Sequence, residues 1–367
     1  MQVSPLAGIC VSSLLVAFAF LAYAFLRGSV GLRSYIVTRV ALTLPMVLIL
    51  VSVIFFVMRV IPGDPVTSQL GPRGGEEARE RMTRVLGLDQ PVMVQYARYL
   101  GSIARLDLGE SLVFGNRPVV DELSERLPAT LELVVPAMVF AVGLGVLGGT
   151  YSAQHRKEPV DFGLRLFSIA VYSMPIFWLG LILQIVFSLR LSVTPVAGRI
   201  DSIVTIGLDR RTNLLILDSI LSGNWRALGS VLHHMILPVV TLGSILLGVF
   251  LRLSRINVIE SLVEDYITAA RARGIRERIV VYGHALSNAM IPIVTLIGLQ
   301  FSVLLAGAVL TETTFSWPGM GSYLVERIGQ RDYTAVQGVI VVFALSVAIV
   351  SLITDIVYAF LDPRVRY

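Results

Sequence analysis

Seven stretches of this chain are predominantly apolar over about 20 residues or more, the length at which an α-helix rising about 1.5 Å per residue crosses the hydrocarbon core of a bilayer. They run from Leu6 to Leu26, Tyr35 to Met58, Pro128 to Ser152, Leu166 to Leu189, Val231 to Leu253, Ile291 to Leu310 and Thr334 to Phe360. A soluble domain of 367 residues cannot hide them all, with 55% of its residues apolar, 15% charged and a mean hydropathy of +0.78. The excess must face lipid, and the expected fold class is an all-α polytopic membrane protein.

Charge sorts the ends of the spans. If they alternate, Arg27, Arg33, Arg39, Arg156, Lys157, Arg165, Arg252, Arg255, Arg271, Arg273, Arg276, Arg278, Arg364 and Arg366 fall on one side. Short cytoplasmic loops collect basic residues, so that side reads as the cytoplasm, with the amino terminus outside and the carboxyl terminus inside. The formal charge of +5 is explained by this flanking. No basic run with interleaved aromatics points to nucleic acid. The first span admits two readings, because Ala22-Tyr23-Ala24 resembles a signal-peptide cleavage site. No Lys or Arg precedes it, which favours a retained helix added before the other six spans. The one cysteine, Cys10, supports neither a disulfide framework nor a thiolate cluster.

Two long segments lie on the side assigned as outer. The first opens on Ile61-Pro-Gly-Asp-Pro65, a helix-stopping turn, and continues with Val92, Tyr96, Tyr99 and Ile103 at helical spacing, the pattern of an amphipathic helix on the surface or over the spans. The second, Arg190 to Gly229, mixes turn residues with the apolar run Leu214 to Ile220, and its form does not follow from periodicity.

The loop from Glu264 to Pro292 reads as helix, sharp turn, helix. Thr268 to Arg273 are mostly good helix formers, Arg271 and Arg273 suit the negative end of the helix dipole, and Gly274 can take the left-handed conformation that ends it. Ile275 supplies the apolar contact expected past such a cap, and Pro292 suits the start of the next span. Small side chains at Ala269, Ala270 and Ala272 would let the elbow seat in a partner's groove, with Arg271, Arg273, Arg276 and Arg278 offering ionic contacts. On physical grounds alone the same charges also describe a solvated connector.

Gly145 and Gly149 form a small-xxx-small face, read equally as helix packing or as chance. Glu132, Glu312 and Asp355 sit near predicted span ends, where interfacial hydration accounts for them better than a transport pathway does. His233 and His234 point about 100° apart on a helix, so no metal site is expected. Trp317 reads as an anchor at the membrane interface, with a turn at Pro318-Gly319 beside it. No nucleophile, base and orienter come together, so no catalytic residue is expected. The only lysine, Lys157, follows no glycine-rich loop, so this chain cannot build a phosphate-cradling ATP site of that type.

The loop resembles the EAA loop, with its Asn-x-x-x-Pro ending, of ABC importer permeases of the dipeptide/oligopeptide/nickel family. Ordered patches extend the resemblance from about Arg33 onward: Arg59-Val-Ile-Pro-Gly-Asp-Pro65, Leu86-Gly-Leu-Asp-Gln-Pro91, Asp107-Leu-Gly-Glu-Ser111, Arg126-Leu-Pro-Ala-Thr130, Ser173-Met-Pro-Ile-Phe-Trp178, Glu312-Thr-Thr-Phe-Ser-Trp-Pro-Gly319, Arg331-Asp-Tyr333 and Asp362-Pro-Arg364. Thr268 stands where the motif's initial Glu would be, and the extra first span and long second outer loop also depart from the pattern.

The resemblance implies a type I importer fold of about seven spans, one extra helix plus a six-span core. Its divisions would be 1–33 for the extra helix, 34–127 for the first core span with the outer segment, 128–361 for the transmembrane domain and 362–367 for a cytoplasmic tail. It implies that Ala269 to Gly274 is a coupling helix, with Thr268, Ala269, Ala270, Arg271, Ala272, Arg273, Gly274, Ile275, His284 and Asn288 docking an ATPase. Glu312, Trp317, Pro318 and Gly319 would border the outer mouth. Implied partners are a homologous second permease, two ATP-binding subunits that hold ATP and Mg, and an extracytoplasmic solute-binding protein, all at the inner membrane, with no cofactor in this chain. The cargo is expected to be peptides, with nickel chelates or oligosaccharides as alternatives. An ATP-independent secondary transporter is the rival class, and it would call for inverted repeats and buried coupling sites.

Overall fold

A computed structural model describes residues 30–60, 66, 75–85, 87–111 and 117–361. The described residues are helical throughout apart from turns and a single isolated bridge between Glu110 and Pro118. We number the helices α1 (Val30–Val60), α2 (Glu76–Val85), α3 (Val92–Ala104), α4 (Val119–Gln154), α5 (Pro159–Ser173), α6 (Ile176–Leu183), α7 (Ser202–Thr205), α8 (Leu215–Leu221), α9 (Trp225–Ser261), α10 (Asp265–Ala272), α11 (Glu277–Ile279), α12 (Leu286–Thr314), α13 (Met320–Gly329) and α14 (Tyr333–Leu361). Two π-helical turns interrupt the series, Gln184–Arg190 after α6 and Val280–Ala285 before α12. Among the described residues, five helical units are long and apolar enough to cross a membrane, and one bent pair adds a sixth if counted as a single span. The expected span from Leu6 to Leu26 lies outside the described residues.

The centre is the pair α4 and α9, which run parallel with Ala137 against Gly243, Gly145 against Phe250 and Gly149 against Ser254. A methyl group at Gly145 would come within 2.7 Å of Phe250 Cβ, and one at Gly149 within 2.8 Å of Ser254 Cβ and 2.9 Å of the Arg255 nitrogen. Between the two readings of this glycine face, the packing one therefore holds: the backbones approach more closely than any side chain allows. Around this pair, Leu133, Leu242, Leu246, Phe250, Leu304 and Trp317 form the main apolar core.

Two expectations about the spans are corrected. The run from Leu166 to Leu189 is not one straight helix but the pair α5 and α6, bent by 105°. Met174 is extended there (φ −80°, ψ 131°), because Pro175 crowds the residue before it out of the helical region. Pro292 does not start a helix. It lies inside α12, which is continuous with the π-helical turn at 280–285, and the unit runs from Glu277 to Thr314. Membrane helices tolerate an interior proline where neighbours satisfy the freed carbonyl.

The expected amphipathic helix is α3, whose Tyr96 and Tyr99 rings pack at a tilt against Phe55 of α1 with centroids 5.3 Å apart. The segment between Arg190 and Trp225, whose form periodicity left open, is held by long-range bonds. Gln184 donates to the carbonyls of Val196 and Thr314, Gly198 N to Phe315 O, and Arg199 closes on Glu132.

Candidate functional site

The elbow between α9 and α12 is built from α10 and its cap. Glu264 precedes the helix in extended conformation, Asp265 lies in its first turn, and Arg271 in its last. Gly274 (φ +73°) ends it in a Schellman motif: Ile275 N donates to Ala270 O at 3.3 Å and Gly274 N to Arg271 O at 2.9 Å. The left-handed cap predicted at Gly274 is therefore present. Nothing lies within 4 Å of a methyl group placed there, so only the backbone conformation demands glycine. Gly274→Ala is expected to cost about 1–2 kcal/mol from that conformation alone, read as a lowered melting temperature with no loss of assembled protein.

One face of the elbow is a small core. Ile267 and Ala270 pack with Val280, Val281 and Ala285 of the π-helical turn, and with Ala153 of α4, Val258 of α9 and Ala289 of α12. The other face is open, with Thr268, Ala269, Arg271, Ala272, Arg273 and Gly274 exposed. Of the ten residues assigned to docking, Ala270 and Ile275 turn toward the core rather than outward, while His284 and Asn288 join the exposed set. Asn288 Nδ2 donates to Tyr266 Oη at 3.3 Å, bringing the end of the loop back beside α10.

Arg271 was read as an ionic contact for a partner. Its guanidinium instead forks onto Glu277, with Nε 3.1 Å from Oε2 and Nη2 2.7 Å from Oε1. The Glu277 carboxylate raises the Arg271 guanidinium above its ordinary value. The pair is exposed, which limits its contribution to about 1 kcal/mol or less. It joins the two sides of the turn, while Arg273, Arg276 and Arg278 present their charge on the open side. The result is a convex ridge of small side chains edged by guanidinium groups and backed by packed apolar residues.

At the opposite end of the bundle lie the residues assigned to a mouth. Glu312 is buried; its Oε1 accepts from Thr130 Oγ1 at 2.6 Å and its Oε2 from Ser322 N at 2.9 Å. Thr130 Oγ1 in turn accepts from Met320 N at 2.8 Å. Trp317 is also buried, its indole donating to Ala129 O at 2.9 Å, so it is not an anchor at the lipid surface. Gly319 is buried against the Glu312 carboxylate, and of this set only Pro318 is exposed.

Hydration at an interface likewise fails to describe Glu132, whose side chain is 2% exposed and paired with Arg199, itself 9% exposed. Glu132 Oε1 accepts from Ile216 N at 2.6 Å, and Arg199 also donates to Asn213 O at 2.8 Å. Asp355 is half-buried in α14. His233 and His234 each face a backbone carbonyl, of Val193 and Ser230. Among the described residues no group of three or more His, Cys, Asp or Glu side chains could hold a metal ion.

Two buried ionic clusters escaped the sequence reading. Asp161 binds Arg255 through two bonds of 2.6 and 2.8 Å and accepts from Ser152 Oγ, joining α4, α5 and α9 near the elbow. At the other end Glu122 accepts from Tyr323 and Arg327. Both acids sit in charged stretches, 117–127 and 155–165, so nothing local singles them out, and the partners are 94 and 201 or more residues away.

Comparison with known proteins decides the family. The profile described as binding-protein-dependent transport system inner membrane component matches residues 141–367, and the profile of its N-terminal part matches residues 32–134. The chain belongs to this family of permeases. Among its relatives, the di/tripeptide transport system permease protein of Pseudomonas aeruginosa (strain UCBPP-PA14) is 42% identical over 91% of this chain and 99% of its own length. The dipeptide transport system permease protein of Escherichia coli (strain K12) is 39% identical over the same shares. The oligopeptide transport system permease protein of Bacillus subtilis (strain 168) is 33% identical over 92% of this chain and all of its own length. The permease is a multi-pass membrane protein and a transport subunit, in keeping with its helices.

Proposed function

We propose that this permease is the membrane subunit of an ATP-driven importer of short peptides, with its elbow as the seat of a separate ATP-binding subunit. The observation that carries the cargo is the 42% and 39% identity, over nearly their whole length, to permeases named for di/tripeptides and dipeptides. The elbow supports the energy route: a ridge of Ala269, Ala272 and Gly274 offers close approach, and the core behind it ties any displacement to α4, α9 and α12. Further partners are a homologous second permease and an extracytoplasmic solute-binding protein. The basic elbow faces the cytoplasm, so the end with Glu312 and Trp317 faces outward. ATP binding in the partner then shifts the permease between inward-open and outward-open states through contacts that differ between them.

Two measurements on the complete complex in proteoliposomes test the reading. Labelled di- and tripeptides are expected to accumulate only with ATP; accumulation of a nickel chelate or an oligosaccharide instead would overturn the cargo. Gly274→Val is expected to slow peptide uptake at least tenfold relative to the ATP hydrolysed, because it displaces the elbow's exposed end. An unchanged ratio of peptide to ATP would remove the elbow from the energy route.

A further inference from the structure

Between the end of α1, helix α3 and the first three turns of α14 lies a cavity of about 260 Å³. Its wall includes Arg59, Arg98, Tyr99 and Gln337. Tyr99 Oη and Gln337 Nε2 are buried with no hydrogen-bond partner. An amide nitrogen can only donate, and burial pushes the Tyr99 phenol up to about 12 against the opposing effect of Arg59, so the hydroxyl keeps its proton. Buried donors left unpaired are costly, and two guanidinium groups stand beside them. The cavity thus calls for acceptor oxygens carrying negative charge. Asp107 also lines it, its Oδ1 already accepting from Gly109 N at 2.9 Å.

Position narrows the ligand. Arg59 is in the last turn of α1, at the end of the membrane-crossing run Val40–Val60, which places the cavity at the boundary between hydrocarbon and water. Leu48, Ser52, Phe55 and Arg59 follow one another along a single stripe of α1. Deeper along α1, on an adjacent face that shares only Leu48 and Ser52 with that stripe, is a second space of about 390 Å³, lined also by Ile49, Val53, Phe56 and Val57 with Tyr96 across from them. Its polar groups, Ser52 and Tyr96, are bonded to each other at 2.5 Å. A donor-rich cavity at the interface above an apolar groove in the hydrocarbon matches an amphiphile with an anionic head.

We infer that the two spaces form one binding site for an anionic glycerophospholipid, its phosphate held by Arg59, Arg98, Tyr99 and Gln337 and an acyl chain laid along the groove from Val57 to Leu48. Phosphate oxygens satisfy both orphaned donors, and guanidinium groups recognise them in paired geometry. The bound lipid would fasten α3 to α1.

The test uses the full chain in its assembled complex, in phosphatidylcholine nanodiscs doped with a phosphatidylglycerol that carries a photoreactive diazirine on one acyl chain. Crosslinks are expected to concentrate on residues 48–57 and 96, and to fall about tenfold in the Arg59→Gln, Arg98→Gln double variant, as loss of charge-assisted bonds to phosphate would give. Tyr99→Phe and Gln337→Leu guard against misfolding. Each removes an unpaired polar atom, so each should lower labelling while leaving the melting temperature of the delipidated complex unchanged or raised. Excess inorganic phosphate should not displace the probe. Even labelling along α1 that ignores all four substitutions overturns the site, and full displacement by inorganic phosphate overturns the lipid in favour of a simple anion.

Discussion

Arg199→Met is expected to destabilise the folded permease by about 3–5 kcal/mol, the cost of leaving a buried charge without its partner. Glu132 would then stay enclosed in α4 with only the Ile216 amide as a donor, and Asn213 O would lose the Arg199 hydrogen bond. Glu132→Leu alone should cost a comparable amount. The double variant should recover part of that, because an ion pair replaced by apolar groups of similar volume is often close to neutral. Recovery stays partial, since Ile216 N–H remains without an acceptor. Melting temperatures of the four proteins form a double-mutant cycle. Strictly additive losses, or single losses below about 1 kcal/mol as for surface pairs, would show that this ion pair does not hold the loop.

Glu312→Leu should be nearly as damaging. It leaves the Thr130 hydroxyl and the Ser322 amide without an acceptor, at about 1–3 kcal/mol for each buried donor. Glu312→Gln keeps one acceptor oxygen and should lose about half as much. Gly319→Ala attacks the same arrangement from the other side, because its methyl group would occupy the place of the Glu312 carboxylate. Similar melting temperatures for Glu312→Leu and Glu312→Gln would mean that packing around residue 312, not its hydrogen bonds, fixes the α12–α13 turn.

What could be read from the sequence was local. Gly274 announces its cap through a few neighbouring residues, and the Schellman bonds are where that pattern puts them. Val231 to Leu253 and Thr334 to Phe360 fall inside α9 and α14 because apolar runs of this length have one way to cross a bilayer. The inward turn of Ala270 was also available, since Ile267 lies three residues before it on the same helical face. The bend at Met174 had its signal in Pro175, but an apolar run on either side hides a break that hydropathy does not register. Glu132 and Glu312 were misread as interfacial for a different reason. Their partners, Arg199 and Thr130, are 67 and 182 residues away, and only the packed fold brings them together. The loop after Arg190 was illegible on the same account.

The bend and the elbow core are tied to the same helices. A packed interior is stiff, so α10 and the helices behind it, α4, α9 and α12, form one body. Helix α5 is joined to this body by Asp161 and Arg255, and the far end of the α6 run is fastened by Gln184 to Val196 and Thr314. Both fastenings tie the bent pair to the same packed helices, since Thr314 ends α12, and the extended joint at Met174 and Pro175 lies between them. The bend is thus a break in the helical backbone that is held on both sides by side-chain bonds.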